Sequence, residues 1–388
     1  MSHRSITALA LVVTGALVAT TVSMPTAFAA DDENQAQSTV TPNSGTPTPE
    51  DTQASSNGAQ SGALAPSDTT DEAGDENAST TPEPADDTPT TIIVQLEDGN
   101  VGIPWYNRIF GLSTSTKHET VKDRIETAVE SSVPGSDVTD VLDYTKAFDG
   151  FAIQAPASSL ETIKATQGVK AAFIERHLKP LVVEGDTGVS AVDAVNPDLK
   201  NGSSLEMTRS NQTSQKGNEQ VIEVIDTGIE STHPAFSGPM DDVPVRLSHK
   251  DVESLVGTLS HGKQGAYLNK KIPFVFDYAD NDANVLPTST KDLSHGTHVA
   301  AIAAANAPDL QGTAPNAQII VAKVAADKDG SIPDNTVLAA LDDAVIIKPD
   351  SINLSLGDDA GWGSEAGTVY AEVYKNLAEA GVSINAAA

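Results

Sequence analysis

The sequence predicts an α/β fold: a doubly wound parallel sheet, preceded by a small α+β unit. Two patterns lead to this prediction. From residue 218 to 388, apolar strand-like runs alternate with amphipathic helical patterns, which is typical of a parallel sheet with helices on both faces. Over residues 90–182 the element order is β-α-β-β-α-β, which predicts an antiparallel sheet with both helices on one face, the ferredoxin-like plan.

The larger unit, residues 218–388, is predicted from short apolar runs separated by helical spacing of apolar residues. The runs are 220–225, 317–324, 351–354 and 381–387. In such sheets, functional sites collect at the carboxyl ends of the strands. The residues that follow each run are therefore the first candidates for function.

The smaller unit, residues 90–182, contains two helix-start signals. Thr116 with Glu119, and Ser158 with Glu161, have the spacing of capping boxes. The strand patterns are 91–96, 147–155 (one or two strands) and 169–174, and an extended tail follows over 175–180. A polar linker rich in Asn and Ser is expected over residues 183–217.

Composition narrows the range of functions. The 388 residues include 54 acidic and 23 basic residues, giving a net charge of −31, and no cysteine. The acidity argues against nucleic acid and anionic membrane surfaces as partners. The lack of cysteine excludes disulfides, a thiol nucleophile and thiolate metal sites. Residues 31–89 hold 13 of the acidic residues and no Lys, Arg or aromatic residue, which predicts a disordered Thr/Pro/Ser-rich spacer, with O-glycosylation as an open option.

Residues 1–30 have the pattern of an export signal. Arg4 precedes an apolar run over 6–22, and Ala27 and Ala29 have the spacing of a cleavage site. A permanent membrane anchor is the alternative, but the run is short and its C-terminal flank is acidic. We therefore expect a secreted, extracellular protein with no membrane span in its mature part, and association with the cell wall stays open.

Three positions follow strand or helix-start patterns in the larger unit. Asp226 ends the first apolar run, although an Asx-turn would explain it equally well. His295 opens an Ala-rich helix. The segment 355–357 (Ser-Leu-Gly) follows a strand and could pair with an extended peptide, or it could be an ordinary buried turn.

Two other histidines need separate interpretations. His298 lies three residues after His295, so the pair could bind a metal, but no Glu lies between them as in the HExxH pattern of zinc proteases. His261 repeats the start of the His295 motif, but Lys-Gln-Gly follows it and no apolar helix begins there. We expect His261 to be a surface residue without a catalytic role.

Taken together, these segments resemble the subtilisin-like serine proteases, the subtilases. The matching segments are 224–229, 295–300, 312–315 with Lys323 and Val324, and 352–357. The chain order, aspartate before histidine, also agrees with that family. The resemblance covers about residues 220–388, and residues 271–280 are similar to the cell-envelope branch that includes lactocepin and the C5a peptidases.

The resemblance implies a role for each matched residue. Asp226 would fix the histidine tautomer, His295 would be the general base and acid, and His298 would hold a structural position. Polypeptides would be the substrates. The substrate-binding positions would be Ser355, Leu356 and Gly357 on one edge, with Gly330 and Ser331, followed by Ile332, on the opposing edge. Residues 90–182 would be an inhibitor-type propeptide, an intramolecular inhibitor whose tail lies along the cleft.

The sequence also departs from the family pattern. The oxyanion-hole asparagine, in a Gly-Asn pair, and the nucleophile, in a Gly-Thr-Ser segment, have no counterpart in the larger unit. We expect the precursor of a secreted serine endopeptidase, truncated before its serine and inactive as given. The alternative is a non-catalytic protein: a propeptide-bearing inhibitor or chaperone, or a surface binding protein.

No cofactor is expected to be required for this chemistry. A structural calcium ion is an open alternative that no clear motif supports. Asp277, Asp280 and Asp282 could form a weak calcium site or simply a solvated loop, and the segment 306–310 is shorter than the family's calcium loop.

Overall fold

The structure is a computed structural model that describes residues 87–97, 114–181, 209–287, 294–358 and 363–387. The predicted signal peptide, nearly all of the predicted spacer and residues 183–208 of the predicted linker lie outside the described residues, as does the side chain of Thr116. We call the described residues up to 181 the N-terminal block and those from 209 onward the C-terminal block. No helix in these ranges is both long enough and apolar enough to cross a membrane.

The N-terminal block is built on an antiparallel sheet. Its elements are β1 (Pro89–Leu96), α1 (Thr114–Ser132), β2 (Thr139–Tyr144), β3 (Gly150–Pro156), a 3₁₀ turn (Ala157–Ser159), α2 (Leu160–Lys164), β4 (Val169–Ile174) and β5 (His177–Pro180). The first four strands pair in the order β2-β3-β1-β4, every neighbour antiparallel. β5 does not join this sheet and pairs with the C-terminal block instead.

Both faces of this antiparallel sheet are buried, because alternate residues of a strand point to opposite faces. Ile92 and Val94 of β1 pack against the apolar stripe of α1, which includes Val121 and Ile125. Ile93 belongs to a different cluster, shared with apolar residues of the C-terminal block. The second face is therefore the one that packs on the rest of the protein.

Two features of the N-terminal block differ from the sequence predictions. A single strand, β3, covers most of the segment 147–155 and ends at Pro156, and β2 lies upstream of it, where the polar Thr139, Asp140 and Asp143 obscure the strand pattern. The predicted capping box at Ser158 does not form. The chain makes a 3₁₀ turn after Pro156, and the hydroxyl of Ser159 donates back to the Pro156 carbonyl, so α2 begins only at Leu160.

The C-terminal block alternates strands and helices. Its elements are a 3₁₀ turn (Ser210–Gln212), β6 (Val221–Asp226), a 3₁₀ turn (Pro234–Phe236), α3 (His249–Val256), β7 (Phe274–Asp277), α4 (His295–Ala304), β8 (Asn306–Ala307), β9 (Leu310–Gln311), β10 (Gln318–Lys323), β11 (Ile332–Pro333), α5 (Asp334–Ile347), β12 (Ser351–Leu354), β13 (Leu356–Gly357), α6 (Ser364–Glu379) and β14 (Ser383–Ala386).

Five of these strands form a sheet in the order β14-β12-β6-β10-β7, and every neighbouring pair is parallel. The predicted α/β class with a parallel sheet is confirmed. The edge strand β7 was not among the strands predicted from the sequence.

The parallel sheet is covered on both faces. Ile320 and Ala322 of β10 belong to the cluster that includes the apolar residues of α5 and α6. Ile319 and Val321 alternate with them and belong to a second cluster, which includes Ala300 and Ala304 of α4. Helices therefore pack on each side, as a doubly wound sheet requires.

Glu223 is an ionisable side chain in the middle of this sheet. It lies on the central strand β6, opposite Ile320 and Ile352, is fully buried, and neither carboxyl oxygen has a hydrogen-bond partner among the described residues. Burial and the nearby charge of Asp343 raise the pKa of Glu223 to about 8. The folded protein thus holds a proton that the unfolded chain loses above its ordinary pKa of 4.5, so stability falls as the pH rises between these values.

Replacing Glu223 with Met removes this penalty while keeping the side-chain volume close to the original. We expect Glu223→Met to be more stable than the wild type at pH 8. The gain should shrink by roughly 1.4 kcal/mol per pH unit as the pH falls toward 5. Urea unfolding at pH 5, 6, 7 and 8 measures this, with Glu126→Met on the exposed side of α1 as the control. A difference that does not change with pH would contradict the assignment.

Candidate active site

Asp226 is the last residue of β6 and lies at the carboxyl end of the parallel sheet. Its side chain is buried, and Oδ1 accepts a hydrogen bond of 2.7 Å from the backbone N–H of Thr227. His295 is the first residue of α4, and its Nδ1 lies 2.9 Å from Oδ1 and 3.0 Å from Oδ2 of Asp226. The structure therefore brings together the two residues that the sequence singled out for proton transfer.

The close approach of α4 to the end of β6 requires a glycine after the histidine. A Cβ on Gly296 would lie 2.2 Å from the carbonyl oxygen of Gly228 and 3.1 Å from Cβ of Asp226. The backbone N–H of Gly296 donates to Oγ1 of Thr227 at 3.1 Å. Any side chain at position 296 would push the helix, and with it His295, away from the carboxylate.

The imidazole of His295 is held from two sides. The hydrogen bond to Asp226 raises the pKa of His295, while partial burial opposes this, and a hydrogen bond to the backbone of Leu181 raises it further. The N–H of Leu181 donates to the carbonyl of Ser355, so the carbonyl of Leu181 is the backbone group that accepts from the imidazole. Because Nδ1 faces Asp226, the nitrogen that faces this carbonyl is Nε2.

The carbonyl of Leu181 reaches His295 because the preceding strand is held on both edges. β5 pairs antiparallel with β11, with Leu178 opposite Ile332, and with β13, with Lys179 opposite Gly357. The N–H of Leu181 donates to the carbonyl of Ser355 at 3.0 Å. Of the predicted binding residues, Ser355, Leu356 and Gly357 therefore lie along the tail strand.

Of the opposing edge predicted over residues 330–332, Ile332 pairs with the tail strand. Gly330 and Ser331 precede β11 and are not among the residues paired with β5. The N–H of Ser331 donates a hydrogen bond to the carboxylate of Asp329, and the carbonyl of Ser331 accepts one from the N–H of Ala326. This turn directly precedes Ile332, the first residue of the strand β11 that pairs with β5.

Side chains of the tail fit between the two edges. Leu178 is buried in the cluster that includes Ile332 and Leu356. Leu181 lies against Gly357, where a Cβ would come within 2.9 Å of the leucine Cδ1. A glycine at position 357 thus leaves room for the residue whose carbonyl faces His295.

The other histidines have different environments. His298 is exposed, and no cluster that could hold a metal among the described residues includes His295 or His298. The expectation that His261 is a surface residue is wrong. Its side chain is 9% exposed and lies 3.4 Å from the carboxylate of Asp342, because its loop is held inward by Asp343, which accepts from the N–H groups of Ser260 and Gly262.

The acidic residues suggested for calcium form a lysine-centred network. Asp277 and Asp280 group with Asp327, whereas Asp282 is not part of the group. The ammonium of the buried Lys323 lies 2.5 Å from Asp277, 4.0 Å from Asp280 and in contact with Asp327. A positive charge of the chain itself therefore lies among these carboxylates.

Sequence reasoning missed two parts of the cleft. It ended the tail at Pro180, although Leu181 is the residue whose backbone reaches Ser355 and His295. It also gave no role to Arg176 or Asp334, whose side chains pair. The apolar character of Leu181 could have indicated the first. No local signal indicates the second, since 158 positions separate the two residues.

The parallel sheet, the Asp–His pair at its carboxyl end and the strand-binding edges are the arrangement of a subtilisin-like domain. Comparison with known proteins agrees. Residues 217–388 match the Peptidase S8 or subtilase family, and this part of the chain belongs to that family. The family membership predicted from the sequence is confirmed.

Three relatives illustrate the similarity. The chain is 30% identical over 263 residues to the PI-type proteinase of Lactococcus lactis subsp. cremoris, covering 66% of this chain and 12% of that protein. It is 34% identical over 147 residues to the thermophilic serine proteinase of Bacillus sp. (strain AK1), covering 36% and 26%. It is 29% identical over 153 residues to the C5a peptidase of Streptococcus pyogenes serotype M3, covering 37% and 12%. The chain thus spans a small part of the length of each.

The geometry of the pair predicts how His295 titrates. Asp226→Asn removes the carboxylate that stabilises the imidazolium, so we expect the pKa of His295 to fall. The titration can be followed by NMR of the protein with labelled histidine. His118 is an internal control, because burial, which lowers its pKa, is outweighed by hydrogen bonds to Asp143 and Asp149 that raise it to about 9. A pKa of His295 that does not change in the variant would contradict the electrostatic coupling.

Proposed function

We propose that the chain is the precursor of a secreted serine endopeptidase that hydrolyses peptide bonds with Asp226, His295 and a serine hydroxyl. The observation that carries the proposal is the placement of His295. One ring nitrogen faces the Asp226 carboxylate, and the imidazole hydrogen-bonds the carbonyl of Leu181, a peptide carbonyl at the end of a bound extended strand. A histidine in this position can move a proton to and from a group that attacks that carbonyl.

The proposed reaction follows the acyl-transfer scheme. His295 Nε2 takes the proton of the serine hydroxyl as the oxygen bonds to the carbonyl carbon, and then gives it to the amine that leaves. Water releases the acyl group by the same route. Asp226 keeps the Nδ1 proton in place and stabilises the imidazolium that forms in each step. The serine is assigned to chain that follows residue 388, because the resemblance places it in a Gly-Thr-Ser segment.

The N-terminal block is proposed to be the inhibitor-type propeptide of this enzyme. Its tail binds both edges of the cleft as a substrate strand would, and the backbone of Leu181 at its end hydrogen-bonds His295. The alignment with the PI-type proteinase supports this. It covers 66% of the chain, more than the subtilase match, so it includes residues before 217.

The block is anchored by more than its tail. Asp342 of α5 is buried, and its carboxylate accepts from the N–H groups of Lys146 and Ala147, both at 2.7 Å. Asn376 of α6 donates to the carbonyl of Ala147 at 2.6 Å. These bonds fix the antiparallel sheet on the two helices that lead to the cleft. The export signal predicted over residues 1–30 supports a location of the mature enzyme outside the cell, and polypeptides are its proposed substrates.

The bond that follows Leu181 should be the one that the enzyme cuts in its own chain. In the full-length product of the gene, including the segment that follows residue 388, we expect a mature form that begins at Val182. His295→Ala should remain uncut and lose at least about 10⁴-fold in peptide hydrolysis, because the base is gone. His249→Ala, with an exposed histidine on α3, is the matched control and should retain activity within about twofold.

Mass spectrometry of the purified forms and hydrolysis of a peptide spanning residues 175–184 provide the readouts. Cleavage in the His295→Ala variant would overturn the assignment of the base. A wild-type protein that stays whole and hydrolyses no peptide would favour the non-catalytic alternative, an inhibitor or binding protein.

A further inference from the structure

Arg176 and Asp334 form a second recognition point on the tail, away from the Asp–His pair. The guanidinium of Arg176 donates to the carboxylate of Asp334 through Nε at 3.0 Å and Nη2 at 2.9 Å. The backbone N–H of Arg176 donates to the same carboxylate at 2.9 Å, and the N–H of Asp334 donates to the Arg176 carbonyl at 3.0 Å. This is a bidentate pair combined with backbone pairing.

The acceptor side of this pair is built into the C-terminal block. Asp334 is 0% exposed and is the first residue of α5, where the helix dipole favours a negative charge. The hydroxyl of Tyr370 on α6 donates to its Oδ1 at 2.7 Å, and the ring centroid of Tyr370 lies 5.9 Å from Cζ of Arg176. The aromatic ring and the carboxylate are both favourable for a guanidinium.

The pair continues the strand that the cleft binds. Pro333 lies opposite His177 and Ile332 lies opposite Leu178, and the bonds between Asp334 and Arg176 extend the same antiparallel register by one residue. A peptide bound in this register therefore places the sixth residue before the cleaved bond next to Asp334. The recognition point is thus part of the cleft.

We propose that Asp334 and Tyr370 form a guanidinium-binding subsite that recognises an arginine as the sixth residue before the cleaved bond, both in the chain's own tail and in peptide substrates. The proposal rests on the proposed function, because that function predicts cleavage of the peptide bond that follows Leu181. Three of the four hydrogen bonds described for the Asp334 carboxylate come from Arg176. When a bound peptide has no cation at the position of Arg176, the buried carboxylate of Asp334 has no positively charged partner, which is strongly unfavourable.

The chemistry predicts an order of preference among substrate residues at this position. Arginine matches the planar carboxylate with two parallel N–H groups, whereas lysine brings a single point charge and alanine brings none. In peptides derived from residues 175–184, kcat/KM should fall from Arg to Lys to Ala at the position of Arg176. The Arg to Ala ratio should be at least about tenfold, since a hydrogen bond to a charged group is among the stronger ones.

The substrate test uses the full-length gene product. Asp334→Asn should bring the Arg to Ala ratio toward one, because an amide offers one acceptor and a donor that conflicts with the guanidinium. Glu379→Gln, an acidic residue near the exposed end of α6, is the control and should keep the wild-type ratio. Peptides that are hydrolysed by the wild type with a ratio near one overturn the subsite and leave the proposed function intact. If Asp334→Asn does not fold, the Arg to Ala ratio of kcat/KM for the wild type is by itself the test of the subsite.

A second readout needs no catalysis. In the intact 388-residue chain, hydrogen exchange of the amides of residues 177–181 should be at least about tenfold faster in Asp334→Asn than in the wild type or Glu379→Gln, because the tail loses its anchor. If no peptide is hydrolysed, the proposed function is wrong, and hydrogen exchange of the tail amides alone tests the guanidinium-binding subsite. Unchanged exchange of the tail amides in Asp334→Asn would then overturn it.

Discussion

The antiparallel pairing of β5 with β11 and β13 is the interaction on which the organisation of the site depends. It holds an extended strand between two edges of the C-terminal block and sets the register, so that the Leu181 carbonyl meets His295 while Arg176 meets Asp334. A shift of one residue would turn the buried Leu178 out of its pocket, because side chains alternate along a strand. Backbone hydrogen bonds therefore provide the binding, and the alternate side chains provide the selectivity.

Helix α5 couples the cleft to the N-terminal block through buried carboxylates. Asp334 and Asp342 are both fully buried, and each accepts hydrogen bonds from the N-terminal block: the first from the Arg176 side chain, the second from backbone N–H groups of residues 146 and 147. Separation of the block would leave both charges short of partners, a large cost in an apolar environment. Asp334 and Asp342 therefore become available to another ligand only when the N-terminal block dissociates.

Much of the catalytic arrangement could be predicted from the sequence, because its signals are local. Asp226 closes a strongly apolar run and His295 opens an Ala-rich helix, and parallel strands bring their carboxyl ends to one edge. The features that escaped prediction depend on tertiary contacts. β2 and β7 are edge strands, and His261 is drawn inward by Asp343.

The register of β5 can be measured directly, because the chain has no cysteine and any engineered disulfide is unambiguous. His177 lies opposite Pro333 in the antiparallel pair, next to the hydrogen-bonded pair of Arg176 and Asp334, so two cysteines at 177 and 333 are close enough to cross-link. The account predicts that His177→Cys/Pro333→Cys forms a disulfide under mild oxidation, whereas Lys179→Cys/Pro333→Cys, which is out of register, does not. Equal cross-linking in both proteins, or none in the first, would contradict the binding of the tail in the cleft.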